Sequence, residues 1–192
     1  TGLLSLMSAQ RSAQAMIDAV ELDNAAYTQA IENVAQSPFS TRIQVFNTAI
    51  QDFNPAYEYD SIITNPPFFQ ADLLSPNTQK NQAHHATTLT FDSLLVAIDR
   101  LLSAQGHFHI LLPTDEAEVF YQKAVALGWT MHRKLILQHD NLKKPFRVLM
   151  SFGRVYSSEY QMTEQVLSIY QDNSKLHDPE FSVLMKHFYM IF

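Results

Sequence analysis

Tyr59-Asp60-Ser61-Ile62-Ile63-Thr64-Asn65-Pro66-Pro67-Phe68 decides the reading of this chain. The first six residues read as a buried strand, and the two prolines forbid its continuation, since each fixes φ and lacks an N–H for the ladder. The chain must therefore leave the sheet stiffly, with the Asn65 amide and the Phe68 ring held in fixed relation. An amide oxygen, the free carbonyl of Pro66 and a flat aromatic face suit a planar base that bears an exocyclic amine. Asn65 and Pro66 can accept the amine hydrogens while Phe68 stacks on the ring, which is an arrangement for methylating an amino nitrogen. A plain Asn-Pro-Pro turn is the alternative; a strand before it and an aromatic after it favour the site.

Outward from this loop, helical and strand patterns alternate. Gly2 opens a helix through Leu3, Leu4, Leu6, Met7 and Ala13, and Met16 to Leu22 reads as a short strand. Asp23 is a good N-cap for a helix with Ala26, Tyr27, Ala30, Ile31 and Val34 on one face, ended by Ser37-Pro38. Arg42 to Phe46 alternates as a strand does. Phe69 to Thr90 is polar and rich in Gln, Asn, His and Thr, a loop of the length that compact domains reserve for function or leave disordered. Phe91 to Leu102 has helical spacing, Gly106 opens a strand from His107 to Leu112, and Asp115 starts a helix that stops at Gly128. Trp129 to Leu137 and Arg147 to Arg154 read as an antiparallel pair joined by a short basic connection. Gln165 to Tyr170 reads as a strand and Pro179 to Met190 as an apolar helix, within a C-terminal extension over 155–192.

This alternation argues for an α/β fold around a mostly parallel sheet with an antiparallel final hairpin. Ligands of such sheets sit at the carboxyl ends of the strands, so Glu21, Asn65 and Pro113, each at a strand end, are expected along one rim. Gly2 opens a helix and Glu21 ends the next strand 19 residues later. That is close to the offset at which dinucleotide folds set a carboxylate on ribose hydroxyls. The same pair also fits a helix-opening glycine and a solvated carboxylate. The strand that should precede Thr1 would be central to such a sheet. The expectation is a single domain over 1–192 that lacks upstream residues, among them that strand and the rest of a glycine-rich loop. A central strand built from the residues present would refute it.

At 192 residues with 46% hydrophobic and 17% charged side chains, the chain is long enough for a large core and is not a disordered polymer. Its longest apolar stretches, such as Ser93 to Ile98, are too short to span a bilayer. The absence of cysteine excludes disulfides and thiolate metal sites and is compatible with a reducing cytoplasm. The net charge of −6 does not advertise a nucleic-acid binder, although a local patch can bind phosphates on an acidic protein. Lys143, Lys144 and Arg147, and His132-Arg133-Lys134, can contact phosphates; a solvated hairpin accounts for them equally. His84-His85 lacks a close carboxylate and reads as a solvated or RNA-facing pair instead of metal ligands. His107 and His109 share a strand face and read as structural. No metal site is expected.

Thr1 to Arg11, Asp18 to Leu22 and Asn65 to Phe69 together resemble the bacterial tRNA (adenine-N6)-methyltransferases, in particular the branch that methylates adenosine 37 of valine tRNA. Gln29 to Asn33 with Ser37-Pro38, Gly106 to Pro113, Arg147 to Met150 and His187-Phe188-Tyr189 extend the resemblance over nearly the whole chain. It implies a Rossmann-like class I fold and S-adenosylmethionine as methyl donor. Gly2 would belong to the methionine-side loop, Glu21 would bind the ribose hydroxyls, Leu22 would pack on the cofactor adenine, and Asn65 would border both ligands. Asn65, Pro66, Pro67 and Phe68 would form the catalytic loop, with Phe69, His84, His85, Lys143, Lys144 and Arg147 towards the tRNA. The family usually has Tyr where Phe68 stands, but stacking needs only the π-face. Relatives also carry an acid near position 49 for the cofactor adenine; Asp52 is the nearest acid here. The Asn-Pro-Pro-aromatic motif is shared with methylases of DNA adenine, of ribosomal RNA guanine N2 and of protein glutamine. It defines the reaction more sharply than the substrate, and a non-catalytic RNA-binding module on the same fold is the remaining alternative.

Overall fold

The computed structural model describes residues 1–67, 89–154 and 162–188, which fall into two compact units, Thr1–Ala56 and Tyr57–Phe192. In the first unit, helix α1 (Leu3–Arg11) starts from Gly2, whose φ of 72° is left-handed and suits glycine. Strands β1 (Ile17–Glu21) and β2 (Ile43–Asn47) pair in parallel, with Ile17 opposite Ile43 and Glu21 opposite Asn47. Between them runs α2 (Asn24–Ala35), whose first turn is closed by the Asp23 carboxylate accepting the Ala26 N–H at 2.8 Å. A cap of this kind stabilises a helix by about 1 kcal/mol. Ala9, Val34 and Ile43 form the small core, with Leu6, Ile17, Phe39 and Val45 packed on it. Ile31, expected on the buried face of α2, is 40% exposed; the buried residues of that helix are Ala30 and Val34. Arg42 donates to the carbonyls of Ala9, Ser12 and Ala15 at 2.8–3.0 Å, satisfying acceptors that the end of α1 leaves open.

The second unit is a five-stranded sheet in the order β3-β4-β6-β5-β7. Its strands are β3 (Tyr59–Thr64), β4 (Leu102–Leu112), β5 (Thr130–Gln138), β6 (Arg147–Gly153) and β7 (Thr163–Ser168). β3 runs parallel to β4 and β7 parallel to β5, while β6 is antiparallel to both its neighbours. The carboxyl ends of β3, β4, β5 and β7 therefore share one rim with the first residue of β6. Helices α3 (Phe91–Leu101) and α4 (Thr114–Ala126) pack on one face. The Thr90 hydroxyl and Ser93 close a capping box at the start of α3. α4 ends at Gly128, whose φ is 81°. Phe108 is fully buried, stacked on Phe152 at 4.9 Å and met edge-on by Trp129 at 5.0 Å.

Three expectations need correction. β3 is the terminal strand of its sheet among the described residues, so it is half-buried: Ile62 packs on the core while Ile63 is 49% exposed. β4 begins at Leu102, not after Gly106, because the backbone runs from α3 straight into the sheet. A Cβ on Gly106 would sit 2.9 Å from the Tyr59 carbonyl and 2.7 Å from the Leu102 side chain, so that close approach requires glycine. The last helix, α5 (Pro179–Met185), is shorter than expected and buries no residue, with Val183 and Leu184 exposed; position 190 lies outside the described residues. Asn65 and Pro113 follow strand ends on one rim of this sheet, and Glu21 ends β1 in the first unit. Among the described residues β1 pairs only with β2, and β3 only with β4.

On the sheet face opposite α3 and α4, His109 Nδ1 lies 2.8 Å from the Ser151 hydroxyl, and the His107 and His132 rings meet edge-on at 5.3 Å. Burial, then His107 and Arg133, hold the His109 imidazole below its ordinary range; burial and His107 do the same for His132. The unfolded chain therefore binds more protons, so stability is complete above about pH 6.5 and declines as pH falls below it. Thermal melting between pH 8 and 5 is expected to show that loss, and His109→Asn to flatten it. A His109→Asn profile as steep as the wild type would contradict the assignment.

Candidate active site

Asn65 follows β3 directly at the rim and is exposed; Pro66 behind it is buried and Pro67 exposed. This alternation has a local cause. A residue before proline favours extended backbone, and along extended backbone successive side chains point to opposite sides. Thr64 is paired opposite Ile110, so Asn65 follows directly from a strand docked on the fully buried Ile110. Pro113 leaves β4 on the same rim and starts α4. Phe68, Phe69, His84 and His85 lie outside the described residues.

In the first unit, Gly2 precedes α1, Glu21 ends β1 and Leu22 follows it. A Cβ on Gly2 would come 3.3 Å from that of Ala30, and with the left-handed φ this makes a backbone that other residues would strain. Glu21 is half-buried at the end of β1, and its Oε1 accepts the Asp23 N–H at 3.1 Å. That bond orients the carboxylate while leaving acceptor capacity for hydroxyl donors. Leu22 is 59% exposed, a large apolar side chain beside a carboxylate. Asn47 was not legible as part of this arrangement. Its Nδ2 donates to the carbonyls of Glu21 at 2.9 Å and Leu22 at 3.1 Å, tying down the turn that carries both. The available signal was register, because two parallel five-residue strands set Asn47 opposite Glu21. Asp52 is exposed in a turn, where its N–H donates to the Ala49 carbonyl.

Lys143 and Lys144 are exposed on the hairpin between β5 and β6. Arg147, half-buried, begins β6 and donates from Nη1 to the Phe146 carbonyl. All three stand on the rim that carries Asn65. Among the described residues no three His, Asp or Glu side chains converge as metal ligands, and no helix is long and apolar enough to cross a membrane.

The family described as Methyltransferase small domain matches residues 1–103. The tRNA1(Val) (adenine(37)-N6)-methyltransferase of Dyadobacter fermentans is 54% identical over 192 residues, which is all of this chain and 80% of that protein. Among solved structures, a predicted O-methyltransferase of Agrobacterium tumefaciens superposes with a TM-score of 0.69 at 14% identity, covering 95% of this chain and 82% of the other. A glycopeptide N-methyltransferase in complex with S-adenosyl-L-methionine gives 0.54 at 9% identity, covering 73% and 78%. At those identities the two structures speak for the fold alone, a Rossmann-like α/β methyltransferase fold. The whole-length match adds what the fold cannot, and this chain belongs to the bacterial tRNA1(Val) (adenine(37)-N6)-methyltransferase family.

Proposed function

We propose that this protein transfers a methyl group from S-adenosylmethionine to N6 of an adenine in tRNA, adenosine 37 of the anticodon loop of valine tRNA being the substrate that the relatives' name points to. The exposed Asn65 amide, delivered to the rim by β3 with Pro66 locked behind it, is the observation that carries this reading. S-adenosylmethionine, when bound, supplies an electrophilic methyl on a positively charged sulfur. Gly2, Glu21 and Leu22 would hold it: the glycine by close backbone approach, the carboxylate through the ribose hydroxyls, and the leucine against the adenine ring. An aromatic amine is a weak nucleophile because its lone pair is delocalised into the ring. Acceptance of its two hydrogens by Asn65 Oδ1 and the Pro66 carbonyl pulls the nitrogen towards sp³ and localises that pair.

No base is needed before the transfer, because the amine sheds its proton afterwards. Positioning of this kind contributes about 7–11 kcal/mol in favourable cases. An anticodon-loop base is already partly unstacked, so extruding it costs at most a few kcal/mol. In this reading Phe68 stacks on the extruded base, Phe69, His84 and His85 contact the RNA, and Pro67 keeps the chain after Asn65 stiff. Lys143, Lys144 and Arg147 contact phosphates. A tRNA-modifying role also assigns the protein to the cytoplasm.

Incubation with methyl-labelled S-adenosylmethionine and unmodified tRNA, followed by nucleoside mass spectrometry, is expected to find the label in N6-methyladenosine. Asn65→Ala is expected to lower turnover on the order of 100-fold or more and to leave cofactor affinity within about twofold. Label in guanosine of ribosomal RNA or in glutamine of a protein substrate, or near-normal turnover by the variant, contradicts the proposal. For the other half, calorimetry should show Glu21→Ala weakening S-adenosylmethionine binding about tenfold or more, as expected for lost hydrogen bonds to a carboxylate. Asn47→Ala should weaken it to a smaller degree, and unchanged affinity in Glu21→Ala would remove that residue from the site.

A further inference from the structure

Five aromatic rings form a column at the end of the rim farthest from Asn65. Phe146 stacks on His139 at 4.7 Å, His139 faces Tyr170 at 6.4 Å, Tyr170 faces His177 at 5.0 Å, and His177 faces Phe181 at 5.8 Å. Each pair is within 23° of parallel. The column has a backbone cause. The Tyr170 N–H donates to the His139 carbonyl at 2.7 Å, and Tyr170 bridges antiparallel to His177. Three of the rings thus stand on neighbouring extended segments, and strand spacing sets the stacking distance.

A polar ring underlies the column. Gln138 Nε2 donates to Asn141 Oδ1 and to the Ser168 hydroxyl, the hydroxyl donates to Asn141 Oδ1, and the Asn141 N–H donates to Asp172. The hairpin carrying Lys143 and Lys144 is therefore pinned to β7 and to the segment before α5. None of the five rings belongs to either hydrophobic core. This order is spent outside the protein interior.

The charge of the corner differs from that of the chain. Residues 139–147 and 170–188 hold five of the 13 Lys and Arg side chains and four of the 19 Asp and Glu. Three of those four acids accept backbone N–H groups in turns: Asp140 from Leu142, Asp172 from Asn141, and Asp178 from Glu180. The ion pairs recorded among the described residues use none of Lys143, Lys144 or Lys175, all exposed. Strand order separates β3 from the β5 and β7 ends by three and four inter-strand steps, or about 15–20 Å. A folded RNA spans that distance from the reacting base, and a free nucleoside does not.

We infer that this ring-braced corner, with Lys143, Lys144 and Lys175 held on it, is a docking surface for the phosphate backbone of the tRNA stem outside the anticodon loop. The inference rests on the tRNA reading above and deepens it. The column keeps the lysines in place, and the lysines contact phosphates without reading bases.

The test uses the full chain with Lys143→Ala, Lys144→Ala and Lys175→Ala combined. Fluorescence anisotropy is read on full-length tRNA and on a seven-nucleotide anticodon-loop RNA over a range of salt. The variant is expected to bind full-length tRNA at least about tenfold more weakly, with a salt slope shallower by about two to three. Binding of the short RNA and cofactor affinity should stay as in the wild type. His139→Ala, which opens the column, should weaken tRNA binding several-fold, and His139→Phe should restore it. An unchanged affinity and salt slope on full-length tRNA overturns the inference, as does equal weakening on the short RNA. Failure of the wild-type protein to methylate any tRNA counts against the function instead, since it is read without the variants.

Discussion

The docking of β3 along β4 is the contact on which the rest depends. Ile62 lies opposite Phe108 in the parallel register, and the Tyr59 carbonyl approaches Gly106 more closely than any side chain would permit. A one-residue slip would send Ile62 to the other face and Ile63 into the core. It would also move the point at which Pro66 stops the ladder, and with it the direction of the Asn65 amide. Phe108 is fixed in turn by Phe152 and Trp129. The aromatic core of the second unit is therefore a positioning device for two polar groups on its rim, at the cost of a glycine in the middle of the longest strand.

Most of the secondary structure was legible because its signals are local. Asp23 as a cap, Gly128 as a stop and the hairpin from β5 to β6 need only propensity and spacing. The misses came from tertiary context. Ile31 and Ile63 carry the right pattern for burial, yet nothing in a linear sequence shows which strand is terminal or how little of α2 its sheet covers. Gly106 reads in the sequence as the start of a strand, when its role is to let another backbone pass.

The candidate site divides in the same way. Asn65, Pro66, Glu21 and Gly2 stand out in the sequence because chemistry and chain stiffness restrict what such residues do at the ends of strands and helices. Asn47 and the ring column of His139, Tyr170 and His177 were missed, since both exist only once strands are in register. Cross-strand neighbours are the hardest feature to read from one sequence. Here they tie down the turn after β1 and the hairpin between β5 and β6.

A crystal structure with S-adenosylhomocysteine and an anticodon-loop RNA tests the central claim most directly. It should place the adenine N6 within about 3.2 Å of both Asn65 Oδ1 and the Pro66 carbonyl oxygen. An adenine whose amine faces solvent, or is held by other groups while Asn65 points away, would contradict the account.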